Sequence, residues 1–317
     1  MRGVDRLSGA NEMGWSLADI PSQEDRLAVV TGTGGLGYET ALALARAGAD
    51  VVLAGRNAAK GNASVEKIRR AVPRARIAFE ALDLASLHSV EQFAARMLAH
   101  RPRIDLLVNN AGVMNLPDRQ TTEDGFEMQF GTNYLGHFAL TARLFPLLRG
   151  AREPRVVNLS SLYHRAGRID FDDLQASRNY KPQKAYAQSK LAMLMFALEL
   201  QRRATAAGLQ LISNAAHPGF ALTELIPNGP GADGWLQAVS RCLIQPWAAQ
   251  SAADGALPTL FAATAVDAKG GAYYGPGRLF ELKGPPVTAR IAAQALDELV
   301  AKQLWRVSEK LVGLSPL

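Results

Sequence analysis

Short apolar runs alternate with helical stretches along most of this chain, and few folds accommodate that order. The runs cover residues 27–31, 51–54, 77–82, 106–108, 156–159 and 209–215, each bounded by turn residues. Runs this short and uniformly apolar suit parallel strands buried on both faces; half-exposed strands would alternate apolar with polar. Between them lie stretches rich in Ala, Leu, Glu and Arg, at 38–47, 86–100, 138–148 and 186–206. Parallel strands need crossovers, so the pattern predicts an α/β fold, a Rossmann-type doubly wound parallel sheet with helices on both faces. No repeat, low-complexity tract or Pro/Gly linker marks a boundary. Residues 25–317 therefore read as a single domain behind an N-terminal arm, 1–24, with no sustained period.

Composition narrows the function classes. A chain that is 48% hydrophobic and 20% charged has the balance of a soluble globular protein, and no apolar run approaches the roughly 18 residues that a membrane span needs. The polar start, with Arg2, Asp5, Arg6, Asn11 and Glu12, lacks the apolar core of a secretion signal, so a cytoplasmic location is expected. The net charge of +6 comes from Lys and Arg scattered among acidic residues, which argues against nucleic acid and is compatible with a polyanionic nucleotide. Cys242 stands alone, cannot form an internal disulfide, and reads as a buried, inert thiol. His137, His164 and His217 lack metal-ligand spacing, and no metal site is expected.

The first apolar run passes into Thr31-Gly32-Thr33-Gly34-Gly35-Leu36-Gly37 and then a helix. Glycines here permit backbone angles other residues avoid and let the chain approach a pyrophosphate at a helix N-terminus. Strand before and helix after make this a dinucleotide-binding turn. The second run ends in Ala54-Gly55-Arg56. An NAD-specific domain usually places an acid there for the ribose 2′-hydroxyl; Arg56 instead offers a planar fork suited to a 2′-phosphate, so NADP(H) is favoured over NAD(H).

Tyr186 and Lys190 stand four residues apart, on one face of a predicted helix. A free tyrosine, with a pKa of about 10, is a poor acid or base at neutral pH, and bringing it to about 7 takes roughly 4 kcal/mol of differential stabilisation. A nearby ammonium and a cationic nicotinamide together could supply it. Tyr180 and Lys184 share the spacing, but Pro182 biases Lys181 away from helical geometry, which leaves Tyr180 in a loop. The bland reading of Tyr186 is a core-packed tyrosine at a helix start.

Taken together, these residues resemble the short-chain dehydrogenase/reductase family, in the family's own order. The glycine turn is followed by Asp83, Asn109-Asn110-Ala111-Gly112, Asn133-Tyr134-Leu135-Gly136, Ser160-Ser161, Tyr186 with Lys190, and Pro218-Gly219 with Thr223. Asp124-Gly125-Phe126-Glu127, His217, Leu304-Trp305 and the long step from Ser161 to Tyr186 look like the retinol dehydrogenase-like branch and its soluble bacterial relatives. The resemblance implies that Tyr186 is the general acid or base and that Ser161, with Ser160 as the neighbouring alternative, holds the substrate oxygen. It implies that Lys190 lowers the Tyr186 pKa and bonds the nicotinamide ribose, while Asn133 positions a water that relays protons to Lys190. Gly32, Thr33, Gly35, Leu36 and Gly37 would hold the pyrophosphate, Asp83 and Leu84 the adenine, Asn110, Ala111 and Gly112 the adenosine side, and Pro218, Gly219 and Thr223 the nicotinamide end.

The implied activity interconverts a carbonyl and an alcohol on an apolar substrate, suggested by Leu162, Phe220 and the region of Trp235. A covering segment is expected near 222–246, where Pro227, Gly229, Pro230, Gly231 and Gly234 break regular structure and Trp235, Leu236 and Leu243 supply apolar bulk. Leu191, Leu194, Met195 and Leu198 read as core or subunit contact, which leaves a homo-oligomer open. The alternatives are an epimerase or dehydratase of related fold, against which the Asn-Asn-Ala-Gly motif argues, and a nucleotide-sensing protein without catalysis. The family's glycine turn is one residue longer than Gly32–Gly37, so a looser, weaker-binding loop is expected, one that an inserted residue would improve; the Gly-x-Gly-x-x-Gly spacing of Gly32, Gly34 and Gly37 leaves a differently routed, competent turn as the other outcome.

Overall fold

The computed structural model describes residues 14–221 and 250–317. Thr223, Trp235, Cys242 and the expected covering segment lie outside the described residues. Among those described, β1 (Leu27–Thr31), β2 (Asp50–Gly55), β3 (Arg76–Ala81), β4 (Leu106–Asn109), β5 (Arg155–Leu159), β6 (Ile212–Ala216), β7 (Tyr273–Arg278) and β8 (Lys283–Thr288) form one sheet in the order β3-β2-β1-β4-β5-β6-β7-β8. Pairing is parallel from β3 through β7. The last strand turns back antiparallel to β7, an edge hairpin that the apolar pattern did not announce because Gly and Pro interrupt both strands.

Adjacent residues of the central strands serve opposite faces, and both faces are covered. Leu27, Val29, Val52 and Leu107 pack with Phe93, Phe138, Leu191, Phe196 and Trp305. Ala28, Val30, Val51 and Leu53 pack on the other side with Leu44, Ile68, Ala256 and Leu260. The first layer consists of α3 (Leu87–His100), α5 (Gly136–Arg149), α6 (Pro182–Ala206) and α8 (Glu298–Val312); the second of α1 (Gly35–Arg46), α2 (Ala58–Ala71) and α7 (Ala252–Thr264). A strand buried on both sides gains nothing from alternation, which is why these runs read as continuous. Leu191, Leu194, Met195 and Leu198 lie in the first layer's core with Trp305.

Local rules explain where the elements begin and end. Pro182 is the first helical residue of α6, and Lys181 before it is extended, at φ −132°. The helix thus starts a turn earlier than 186, leaving Tyr180 outside it and Tyr186 inside. Leu209, expected in β6, instead closes the C-terminus of α6 by donating to Ala204 O. The short helix α4 (Met128–Phe130) is capped by Glu127, whose carboxylate accepts from the Gln129 and Phe130 amides. It runs through a π turn, Gly131–Leu135, into α5. Part of the N-terminal arm is fastened to the body, with Trp15 edge-on to Phe261 at a centroid distance of 5.4 Å. Among the described residues no helix is long and apolar enough to cross a membrane.

Candidate active site

Strand order reverses between β1 and β4, and a crevice opens beyond the C-terminal ends of these strands, as it does at such switch points generally. The cleft measures about 490 Å³. The predicted residues Gly32, Thr33, Gly35, Leu36, Arg56, Asp83, Leu84, Asn110, Ala111 and Gly112 all line it. Gly37 lies behind them, where a Cβ would run into the Gly32 carbonyl oxygen, so its absence of side chain lets α1 start hard against the turn. Gly32 itself has φ +95° and would press a Cβ to 2.7 Å from Asn110 Nδ2.

The turn is anchored along its length. Gly32 N donates to Ala54 O at 2.8 Å, and Ser64 Oγ of α2 donates to Thr33 O at 2.8 Å. Asn110 Nδ2 donates to Thr31 O at 2.6 Å, while the Asn110 and Ala111 amides donate to Thr31 Oγ1 at 2.9 and 3.0 Å. Thr31 Oγ1 lies 2.9 Å from Nε2 of buried His137, whose Nδ1 meets Asn133 O at 2.8 Å. Burial brings the His137 pKa down to about 4, so the ring is neutral at working pH. A carbonyl at Nδ1 requires the proton there, which leaves Nε2 to accept from Thr31. Thr31 and His137 thus hold the Asn110 segment in place, roles that sequence spacing did not reveal.

At the second-strand end Arg56 is exposed and lines the cleft beside Asn57 and Lys60. Asn57 caps α2, its side chain accepting from the Lys60 amide at 2.9 Å. Asp83 is half-buried, with Oδ1 accepting from Ala85 N.

The other predicted residues meet further along the crevice. Tyr186 is buried, with the Ser161 side chain beside its hydroxyl favouring the phenolate; burial nonetheless dominates and pushes its pKa up to about 12. Its ring packs edge-on to half-exposed Tyr163, centroids 5.4 Å apart. Lys190 Nζ lies 5.7 Å from the Tyr186 ring centroid and donates to Leu159 O at 3.1 Å. Burial draws the Lys190 pKa down to about 8. A Cβ on Gly112 would sit 3.0 Å from Asn133 Oδ1 and 3.6 Å from Lys190 Nζ, so Lys190 reaches the wall of the cleft. Asn133, in the π turn, donates to Val113 O and Ser189 Oγ, both at 2.9 Å, and accepts from Val113 N at 2.8 Å. Ser160 and Ser161 separate cleanly: Ser160 is buried and its hydroxyl donates to Lys190 O at 2.7 Å, whereas Ser161 faces Tyr186. Pro218 and Gly219 follow β6 and do not line the cleft itself; Gly255 of α7 stands between Pro218 and Leu36, its notional Cβ 3.5 Å from Pro218 Cβ and 3.0 Å from Leu36 Cδ2.

A family model described as short chain dehydrogenase matches residues 26–229. The chain belongs to that family. Human retinol dehydrogenase 13 is 42% identical over 307 residues, covering 94% of this chain and 87% of its own. Polyprenol dehydrogenase of Danio rerio is 39% identical, covering 94% and 90%. Among solved structures, an uncharacterised Mycobacterium paratuberculosis protein is 39% identical, with a TM-score of 0.79 over 96% of this chain and 100% of that one. A Shigella flexneri short chain dehydrogenase, complexed with NADP, is 25% identical with a TM-score of 0.61 over 80% of this chain and 97% of that one. The retinol dehydrogenase-like branch suggested by the sequence motifs is therefore the right one.

A short-chain dehydrogenase binds a nicotinamide dinucleotide, and the cleft fits one. Its glycines leave open the space that side chains would fill, its Arg56 and Lys60 suit phosphate, and Asn110 Oδ1 is a buried acceptor without a protein partner. Counted in residues the turn is one short, but the ties at Gly32, Thr33 and Gly37 point to a fitted turn and reverse the expectation of a loose one. Inserting one glycine after Gly32 would displace Thr33 O from Ser64 and should weaken dinucleotide binding about tenfold, the loss of one buried hydrogen bond with its partner left unmet. Calorimetric titration of parent and insertion variant checks this; tighter binding by the variant would restore the view of the short turn as a handicap.

Tyr180 lies outside α6 as expected, yet it is not idle. Its hydroxyl donates to Leu116 O at 2.8 Å and accepts from Gln129 Nε2 at 3.0 Å. Leu116 lines the cleft. Tyr180→Phe should cost about 1 kcal/mol of stability and leave turnover within about threefold, because the lost bonds shape a wall and carry no reacting proton. A thermal melt and an initial-rate assay test both halves; a loss of turnover as deep as that of Tyr186→Phe would put Tyr180 in the chemistry.

Proposed function

We propose that this short-chain dehydrogenase interconverts a carbonyl and an alcohol on an apolar substrate with NADP(H), Tyr186 acting as general acid in reduction and general base in oxidation. The observation that carries the reading is the meeting of Ser161, from the turn after β5, with Tyr186 and Lys190 of α6 beside a dinucleotide-shaped cleft. The bound nicotinamide supplies or accepts the hydride. Ser161 bonds the substrate oxygen and aligns it with the Tyr186 hydroxyl. Tyr186, kept neutral by burial, holds the proton that the reduced oxygen needs. In the oxidative direction the phenolate must form, and the Lys190 ammonium, part of the same buried cluster, stabilises it. Asn133 ties Val113 to Ser189, the residue before Lys190, and supports the relay of protons toward Lys190.

Arg56 and Lys60 at the adenosine end support NADP(H) over NAD(H), and the neighbour complexed with NADP is consistent with that preference. Gly32 to Leu36 would cradle the pyrophosphate, Asp83 and Leu84 the adenine, and Pro218 and Gly219 the nicotinamide end. Half-buried Leu162 and Phe220 beside Ser161 and Gly219, together with the names of the retinol and polyprenol dehydrogenases, favour an isoprenoid or similarly apolar alcohol or aldehyde. A panel of short polar and long apolar aldehydes and alcohols, followed by nicotinamide absorbance with each cofactor, tests the reading. Turnover confined to short polar substrates would discard the apolar assignment, and none with any carbonyl or alcohol would discard the reaction.

A further inference from the structure

The tip of the β7–β8 hairpin holds an unusual backbone. Leu279, Phe280 and Glu281 have φ of +48°, +55° and +67°, three consecutive non-glycine residues in the left-handed region. Such a run costs free energy and persists only where its surroundings over-determine it. Phe280 is 93% exposed and contributes no packing toward that cost. The compensation lies at Glu281. Its Oε2 accepts from Arg165 Nη2 at 2.7 Å and from His217 Nε2 at 3.0 Å, and its Oε1 accepts from the Arg290 amide at 3.1 Å.

Two of those donors, His217 and Arg165, lead to segments of the proposed active site. His217 directly precedes Pro218-Gly219. Its ring is buried in a slot that exists because residue 275 is glycine, and it lies 5.1 Å from the Tyr273 ring. With Nε2–H donating to Glu281, Nδ1 is left as an acceptor, and it takes the Gly219 amide at 3.2 Å. That bond holds Gly219 at φ +63°. Arg165 belongs to the short helical turn Leu162–Ala166 that Ser161 caps. The Ser161 carbonyl in that turn is gripped by His164 Nδ1 at 2.6 Å and Tyr273 OH at 3.3 Å.

We infer that Glu281 is a positioning residue: by clamping His217 and Arg165 at once, it sets the loop at Gly219 and the turn at Ser161 in the relative placement that hydride transfer requires. The inference rests on the reading of those two segments as the nicotinamide end and the substrate-oxygen site. A carboxylate is needed because three donors converge on it. An amide can meet at most two of them, since its NH2 group turns a donor toward the third. The consequence falls on geometry rather than on affinity, because the far end of a dinucleotide would be held by the glycine turn and Arg56, which line the cleft where Glu281 does not.

Glu281→Gln is the test, with Arg165→Ala, at a part-exposed position, as the second variant. Parent turnover, abolished by Tyr186→Phe, first establishes the underlying reading on its own. Glu281→Gln is then expected to lower kcat about tenfold while the NADPH dissociation constant, read by fluorescence titration without substrate, moves less than threefold. The emission maximum of bound NADPH should shift, because it reports the ring's surroundings. Arg165→Ala should show the same pattern at about threefold in kcat. A purely structural role would lower the thermal midpoint and the active fraction while leaving kcat per bound NADPH and the emission unchanged. That result in Glu281→Gln overturns the inference. If Glu281→Gln does not fold, an unchanged kcat in Arg165→Ala overturns it.

Discussion

Tyr186→Phe is expected to lower turnover about a thousandfold or more, in both directions, while the NADPH dissociation constant stays within about threefold. The substitution deletes one oxygen, the one that Ser161 faces, and keeps the ring that packs on Tyr163. Little volume is lost, so the fold has no reason to change. Removal of the hydroxyl leaves the substrate oxygen without a proton donor in reduction and without an acceptor in oxidation. In the protein alone burial holds the hydroxyl up at about 12, so Tyr186 keeps its proton at neutral pH and little phenolate forms to act as a base. Oxidation should therefore gain more than reduction as pH rises from 7 to 9. Initial rates in each direction, with protein concentration corrected by NADPH titration, decide the matter. Residual turnover within tenfold of the parent would move the proton to another group.

Arg56→Asp should change the ratio of NADPH to NADH affinity by about two orders of magnitude, close to 3 kcal/mol. Two effects add. The variant loses a charge-assisted bond to the 2′-phosphate, and a carboxylate placed there repels that phosphate while accepting from a 2′-hydroxyl. Lys60 lines the same end of the cleft, so NADPH binding should weaken without vanishing. Dissociation constants for both reduced cofactors provide the measurement. An unchanged ratio would mean that Arg56 points into solvent and that Lys60 or another group reads the phosphate.

The amino-acid pattern determined the central strands and the dinucleotide turn because the physics there is local. A strand buried on both sides must be a short, largely apolar run, as in Leu27–Thr31. A turn that brings a helix against a strand must use glycine, as Gly37 does against the Gly32 carbonyl. Tyr186 and Lys190 were legible because four residues on a helix place two side chains on one face. Less local features were harder to read. The helix α2 has mixed composition with Gly61 in its first turn, and that glycine is needed because a Cβ would strike the Phe79 ring of β3. Strands β7 and β8 carry Gly and Pro and pair only because the rest of the sheet offers an edge.

Tertiary structure alone decided which serine meets the tyrosine. Ser160 and Ser161 are equivalent on paper, and the alternation of the chain as it leaves β5 turns one toward the Lys190 carbonyl of α6 and the other toward the Tyr186 side chain. It also decided the supports of the site. Thr31 with His137, and Glu281 with His217 and Arg165, join residues from distant parts of the chain. No local period encodes such pairs, because their hydrogen bonds depend on where the folded sheet brings strand ends together. The sequence determined which groups could carry hydride chemistry; the packing of β5, β6 and the β7–β8 hairpin determined how those groups are held.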